Sequence, residues 1–352
     1  MSNTAYLILE NGRVFEGKAF GAVGEATGEI VFTTGMTGYL ETLTDPSYNG
    51  QIVLQTFPLI GNYGIISSDF ESAGIGIKAY IVKYPCQNPS NFRNEGDLDT
   101  FLRERGVIGL CDIDTRALTK IIRENGVMNG KITTSPPTDA DRTEAAGYAV
   151  IDAVAAVSPR TVTTTGTGLR RVALMDFGAK RGMADALAER GCKVWSFPHD
   201  TPAHDILQLA PDGILLSNGP GDPADPANSG IIETIRVLQR SGIPLFGICL
   251  GHQLLALAYG YATQKLKFGH RGANQPVRDT QTGRVYITSQ NHGYTVVTED
   301  GAFVNVNDGT CEGLDYGNSF SVQFHPEARG GPLDTAFLFD RFVERMDAHA
   351  AR

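Results

Sequence analysis

The sequence predicts a two-domain α/β protein: a mixed N-terminal domain of strands, loops and a few helices, then a parallel sheet with helices on its faces. Three observations carry this reading. From residue 171 onward, short apolar runs alternate with helix-like stretches, as they do when parallel strands are joined by covering helices. Residues 5–150 show instead strands and turns with only occasional helical spacing. Between them SPRTVTTTGTG, residues 158–168, is polar and small with no apolar period, which suits an interdomain linker. The expected boundaries are therefore 1–157, a linker at 158–170, and a second domain at 171–346. With 352 residues, 41% hydrophobic and 20% charged, the chain has apolar surface enough for two cores.

Element by element, residues 6–10 and 13–15 flank Asn11-Gly12, the signature of a hairpin with a type I′ turn. Residues 114–124 carry helical apolar spacing and end at Asn125-Gly126, a C-cap signal. In the second half, residues 171–176, 193–197, 213–216 and 244–248 read as short buried strands. Residues 182–190 and 231–241 read as intervening helices, and a further helix begins at His252. Active sites in such sheets gather at the carboxyl ends of the strands, so the loops there are where chemistry is sought.

Composition excludes several classes of function. The net charge is −9 and no block of Lys or Arg occurs, which argues against nucleic acid or an anionic membrane as partner. No apolar stretch is long enough to cross a bilayer, and the N-terminus lacks signal-peptide character. The five cysteines form no C-x-x-C pair and no metal-binding spacing, so no metal site is expected. An odd number of thiols without a secretion signal points to the cytoplasm.

GICLGHQ, residues 247–253, sets Cys249 between an apolar run and a helix. A strand-to-helix elbow presents a nucleophile there, with Gly247 and Gly251 relieving crowding. A helix N-terminus beneath the sulfur favours an anion, and the Leu250 N–H would face an oxyanion. In SVQFHPE, residues 321–327, Pro326 favours an extended His325, whose side chain then shares a face with Glu327. A carboxylate beside an imidazole orients it as a general base. SNGPGDP, residues 217–223, is a rigid loop in which Gly219 N–H is a second oxyanion donor and Gly221 is a further glycine near the substrate.

Together and in this order, these segments make residues 171–345 resemble the class I glutamine amidotransferases. The resemblance implies a flavodoxin-like α/β fold with Cys249 as nucleophile, His325 as base and Glu327 as the acid that orients it. It also implies that Gln253 contacts bound L-glutamine. The N-terminal half carries TTGMTGY (33–39), LTDPSY (43–48), GQIV (50–53), IGNYG (60–64), DIDTRALT (112–119) and NGVMNG (125–130). These resemble the small-subunit family of carbamoyl-phosphate synthetases. In that family Ser47 reaches the glutamine from the N-terminal domain. QNHGY, residues 290–294, places Asn291, Gly293 and the Tyr294 backbone around the substrate's α-amino and carboxylate groups, with Tyr294 where Phe is common.

His292 is read as a structural hydrogen-bonder, and His270 either as ordering a loop near the site or as a surface residue. Cys86, Cys111, Cys192 and Cys311 have no base or elbow and are read as inert. No G-x-x-x-x-G-K-[ST] loop is present, so the resemblance implies no cofactor in this chain. ATP and magnesium are expected on a large synthetase subunit that receives ammonia and makes carbamoyl phosphate for arginine or pyrimidine synthesis. The alternatives are an amidotransferase subunit serving another synthetase, or a catalytically silent regulatory subunit.

Overall fold

The structure, a computed structural model, describes residues 4–351. Two compact units divide between Ile151 and Asp152, several residues ahead of the expected boundary.

In the first unit, seven strands close into a mixed barrel in the order Thr4–Leu9, Val14–Gly21, Ile108–Cys111, Ala79–Ile81, Gln51–Gln55, Ala26–Thr33, Met128–Thr133, and back to the first. Its core packs Tyr39, Leu43, Val53, Tyr80, Leu98 and Leu102. The first hairpin forms, but its turn is not type I′. Gly12 alone is left-handed, at φ 85, and the loop is closed by Leu9 N–H to Arg13 O at 2.9 Å. The Asn11 side chain accepts from Arg13 N at 3.0 Å, and this Asx turn holds Asn11 at negative φ. The helix Thr115–Asn125 starts at Asp114, whose carboxylate accepts from Ala117 N, and ends at Gly126 with φ 97.

The second unit is built on a ten-stranded sheet. Its parallel part has Cys192–Pro198, Arg170–Asp176, Gly213–Leu216, Leu245–Ile248 and Phe320–Val322 in spatial order. Numbered along the chain this is 2-1-3-4-5, the flavodoxin-like order. The helices Arg181–Ala188, Ala203–Gln208, Ser229–Arg240 and Leu250–Ala258 follow the first four strands. Antiparallel strands Cys311–Asp315, Phe303–Asn305, Ala262–Asp279 and Val285–Val297 extend one edge. The stretch read as a linker is partly structured. Thr163–Thr165 pairs antiparallel with Cys192–Pro198 at the other edge. Its threonines are β-branched and suit a pleated edge, a local preference that the low hydrophobicity of 158–168 concealed.

Candidate active site

The carboxyl ends of the parallel strands carry the polar residues in question. Cys249 follows Leu245–Ile248 directly and caps the helix Leu250–Ala258 with φ 55 and ψ −105. A non-glycine residue in this region of backbone space is strained, and such strain persists where the surroundings over-determine it. Here Cys249 N–H donates to Val322 O at 2.9 Å, Gly251 N–H to Ser217 O at 2.9 Å, and Gln253 N–H to Cys249 O at 3.2 Å. The glycines answer to backbone, not to ligand. A Cβ on Gly251 would stand 2.2 Å from Leu216 O, and one on Gly247 would stand 2.6 Å from Gly251 O. Only glycine lets the elbow pass that close to the neighbouring strand.

His325 and Glu327 are buried, and His325 Nδ1 meets Glu327 Oε1 at 2.7 Å. The His325 and Glu327 side chains meet across a turn rather than along a strand face, the turn being closed by Ala328 N–H to His325 O at 3.3 Å. Pro326 takes the second position of that turn, where its fixed φ is favoured. Because Nδ1 is engaged by the carboxylate, Nε2 is the nitrogen left for the Cys249 sulfur. Burial and then Lys180 lower the imidazole pKa, but Glu327 and Cys249 together outweigh them and raise it to about 10. Glu327 titrates low: burial raises it, and His325 with Lys180 more than reverse this. Lys180 Nζ lies 3.9 Å from Glu327 Oε1. A buried pair of this kind favours the imidazolium form of His325.

Lys180 was not singled out in the sequence. Its signal is position, since it sits in DFGAK just past the strand Arg170–Asp176, at the end where this fold places function. Asn218 Oδ1 accepts from Lys180 N at 3.0 Å and fixes that loop.

Gly219 packs against the elbow helix. A Cβ there would fall 2.7 Å from Leu250 Cδ2 and 2.4 Å from Phe177 O. Gly221 is left-handed at φ 91. Gln253 Nε2 donates to Tyr294 O and to Gln323 Oε1, both at 2.9 Å, so it ties the elbow helix to the Gln290–Tyr294 segment. Cys249 Sγ lies 3.7 Å from Asn291 O. Asn291 is buried, while Gly293 and Tyr294 are half-buried. Ser47 belongs to the first unit. It is the middle residue of the 3-10 turn Pro46–Tyr48, capped by Asp45 Oδ1 at 2.9 Å.

His292 is a structural hydrogen-bonder, as expected, with Nδ1 at 2.8 Å from Tyr294 O and Nε2 at 3.0 Å from Gln290 Oε1. His270 is not a surface residue. Its side chain is largely buried against Asp308 and Glu312. Burial pushes the thiols of Cys111, Cys192 and Cys311 up to about 11, which keeps them protonated and unreactive.

A cysteine forced into an elbow over a helix N-terminus, with a buried imidazole–carboxylate pair beside it, is the arrangement that a thiol nucleophile of the acyl-transfer class requires. Comparison with known proteins sharpens this. Residues 173–345 match the class I glutamine amidotransferase model, and residues 7–132 match the carbamoyl-phosphate synthase small-chain domain model. The carbamoyl phosphate synthase small chain of Clostridium perfringens is 50% identical over 97% of this chain and 99% of its own length. The pyrimidine-specific small chains of Halalkalibacterium halodurans (49%, over 98% of each chain) and Bacillus subtilis (48%, over 97% of this chain and 95% of the relative) are close behind. The chain belongs to the carbamoyl phosphate synthase small-chain family.

Proposed function

We propose that the chain hydrolyses L-glutamine at Cys249 and delivers the ammonia to a large synthetase subunit that makes carbamoyl phosphate. The observation that carries this reading is the strained Cys249 elbow facing a buried His325 whose other nitrogen is held by Glu327 at 2.7 Å.

In the proposed reaction the Cys249 sulfur attacks the carboxamide carbon of glutamine. The amide oxygen, now anionic, is met by the N–H groups of Leu250 and Gly219, a reading supported by the close packing of Gly219 on the Leu250 side chain. Donors fixed in advance at such a position contribute about 2.7–4 kcal/mol each to the barrier. The protonated His325 gives its proton to the leaving nitrogen, ammonia departs, and a γ-glutamyl thioester remains on Cys249. Water then adds to the thioester while His325 takes its proton, glutamate leaves, and the sulfur is regenerated. Glu327 orients the ring and stabilises its charge, and Lys180 sets the field around that carboxylate.

Glutamine is recognised by Gln253, Asn291, Gly293 and Tyr294, and by Gly221 in the oxyanion loop. Ser47 is a further proposed contact to glutamine. The chain itself uses no cofactor, ATP and magnesium being handled by the large subunit. The setting is the cytoplasm, and among the described residues no helix is long and apolar enough to cross a membrane. Glutamate release from added glutamine tests the reading: the chain should release it and Cys249→Ala should not, whereas comparable release by both would refute it.

A further inference from the structure

Behind the glutamine-facing segment lies a buried charged cluster that the reaction above does not use. Strands Ala262–Asp279 and Val285–Val297 pair with His270 opposite His292, and the register slips on both sides, between Lys265 and His270 and between Gly272 and Gln275. Such bulges re-aim side chains. Here they press the backbones together: a Cβ on Gly269, which has φ 70, would come 2.2 Å from His292 O. The His270 ring stands edge-on to His292, with centroids 4.9 Å apart. Its Nε2 is 2.8 Å from Asp308 Oδ2, and its Nδ1 is 3.4 Å from Glu312 Oε1, an ion-pair approach.

Glu312 is fully buried, on the strand Cys311–Asp315, and its Oε1 also accepts from Asn305 Nδ2 at 2.9 Å. A carboxylate in the interior is costly unless a cation and hydrogen-bond donors meet it. Burial alone would lower the His270 pKa, but Glu312 and Asp308 reverse this and raise it. His292 is driven the other way, by burial first and then by His270, so the two rings titrate in opposite directions. Neutral His292 donates one hydrogen bond, from Nδ1 to Tyr294 O, and its Nε2 packs 3.0 Å from the Gln290 side-chain amide, so the ring touches both sides of Asn291.

We propose that His270, anchored by Glu312 and Asp308, is a positioning residue that sets the Gln290–Tyr294 segment for glutamine recognition. The proposal rests on the reading that this segment holds the substrate. His270, His292 and Glu312 also offer three ligand-type atoms within 4.8 Å of one another. The bonds from Gln290 and Asn305 already occupy two of these groups, which favours protons over a metal ion.

The test uses the full-length chain with His270→Ala, Glu312→Ala, the double variant, and Glu312→Gln, which keeps volume and an acceptor for Asn305. Glutamine hydrolysis gives kcat and KM, and iodoacetamide labelling of Cys249 reports the nucleophile without glutamine recognition. Each alanine variant should raise KM on the order of tenfold with little change in kcat. Labelling should stay at the wild-type rate, and the double variant should be no worse than the worse single one, because the two residues act as a unit. Glu312→Gln should fall between, and it decides the matter if the alanine variants fail to fold.

Wild-type KM in folded variants would overturn the proposal. So would equal losses in kcat and labelling, or stoichiometric metal found in the purified chain. A wild-type chain that releases no glutamate would overturn the active-site reading as well, which separates the two failures.

Discussion

Gly251→Ala is the smallest change that should disable the site without touching a reacting group. The added Cβ would stand 2.2 Å from Leu216 O, 2.6 Å from Leu216 C and 2.8 Å from Leu216 Cβ. Two of these are backbone atoms of a central strand, so no side chain can swing aside. Reaching ordinary carbon–oxygen contact requires a retreat of roughly 1 Å. That retreat also stretches the bond from Gly251 N to Ser217 O, now 2.9 Å, and carries Cys249 and the Leu250 N–H away from His325. Overpacking of this kind costs about 1–3 kcal/mol of stability, and a displacement of about 1 Å at a reacting centre costs on the order of 100-fold in rate. The assay is kcat/KM for glutamate release, alongside denaturant unfolding. Gly230→Ala is the control: nothing lies within 4 Å of its Cβ, so activity should hold and stability should rise by up to about 1 kcal/mol. A folded Gly251→Ala chain with wild-type kcat/KM would refute the claim that backbone crowding fixes the elbow.

Cys249→Ser and His325→Asn should both reduce glutamate release to background, with Glu327→Ala milder because it removes orientation and charge support only; equal loss in all three would assign Glu327 a direct role. The His325 pKa is raised above its unfolded value, so its contribution to stability is fully present below about pH 6.5 and is lost as the pH rises through about 10. Denaturant unfolding between those pH values should therefore show a steeper decline for wild type than for His325→Asn, and parallel curves would contradict the assignment. Ser47→Ala should raise KM for glutamine more than it lowers kcat, and an unchanged KM would remove Ser47 from the site. With the large subunit, glutamine hydrolysis should accelerate, and a complex carrying Cys249→Ala should still form carbamoyl phosphate from free ammonia; loss of that activity in an assembled complex would mean that Cys249 does more than release ammonia.

Most of the parallel sheet was legible because its strands are short apolar runs and three of its helices have their own spacing, while the short helix Ala203–Gln208 was not. Residues 213–216 match to the residue, and the helix after Cys249 starts two residues before its expected start. The barrel was not legible. Its closure depends on pairing Thr4–Leu9 with Met128–Thr133, a long-range choice that no local pattern encodes. The site was legible where chemistry and turn residues coincide, at Cys249 and at His325-Pro326-Glu327. It was illegible where a residue matters through its neighbours. Lys180 and Gln323 gain their roles from side chains far away in sequence, and Asn11 takes an Asx turn in place of the type I′ turn because of a single side-chain hydrogen bond.

The central claim is that Cys249 carries the glutamyl group during hydrolysis. Acid quenching of the chain during turnover of labelled glutamine, followed by digestion and mass spectrometry, tests it most directly. The account predicts one γ-glutamyl group on the peptide containing Cys249, labile to hydroxylamine and absent in Cys249→Ala. Label on a peptide bearing Cys86, Cys111, Cys192 or Cys311, or steady turnover with no γ-glutamyl group trapped on the Cys249 peptide, would contradict it.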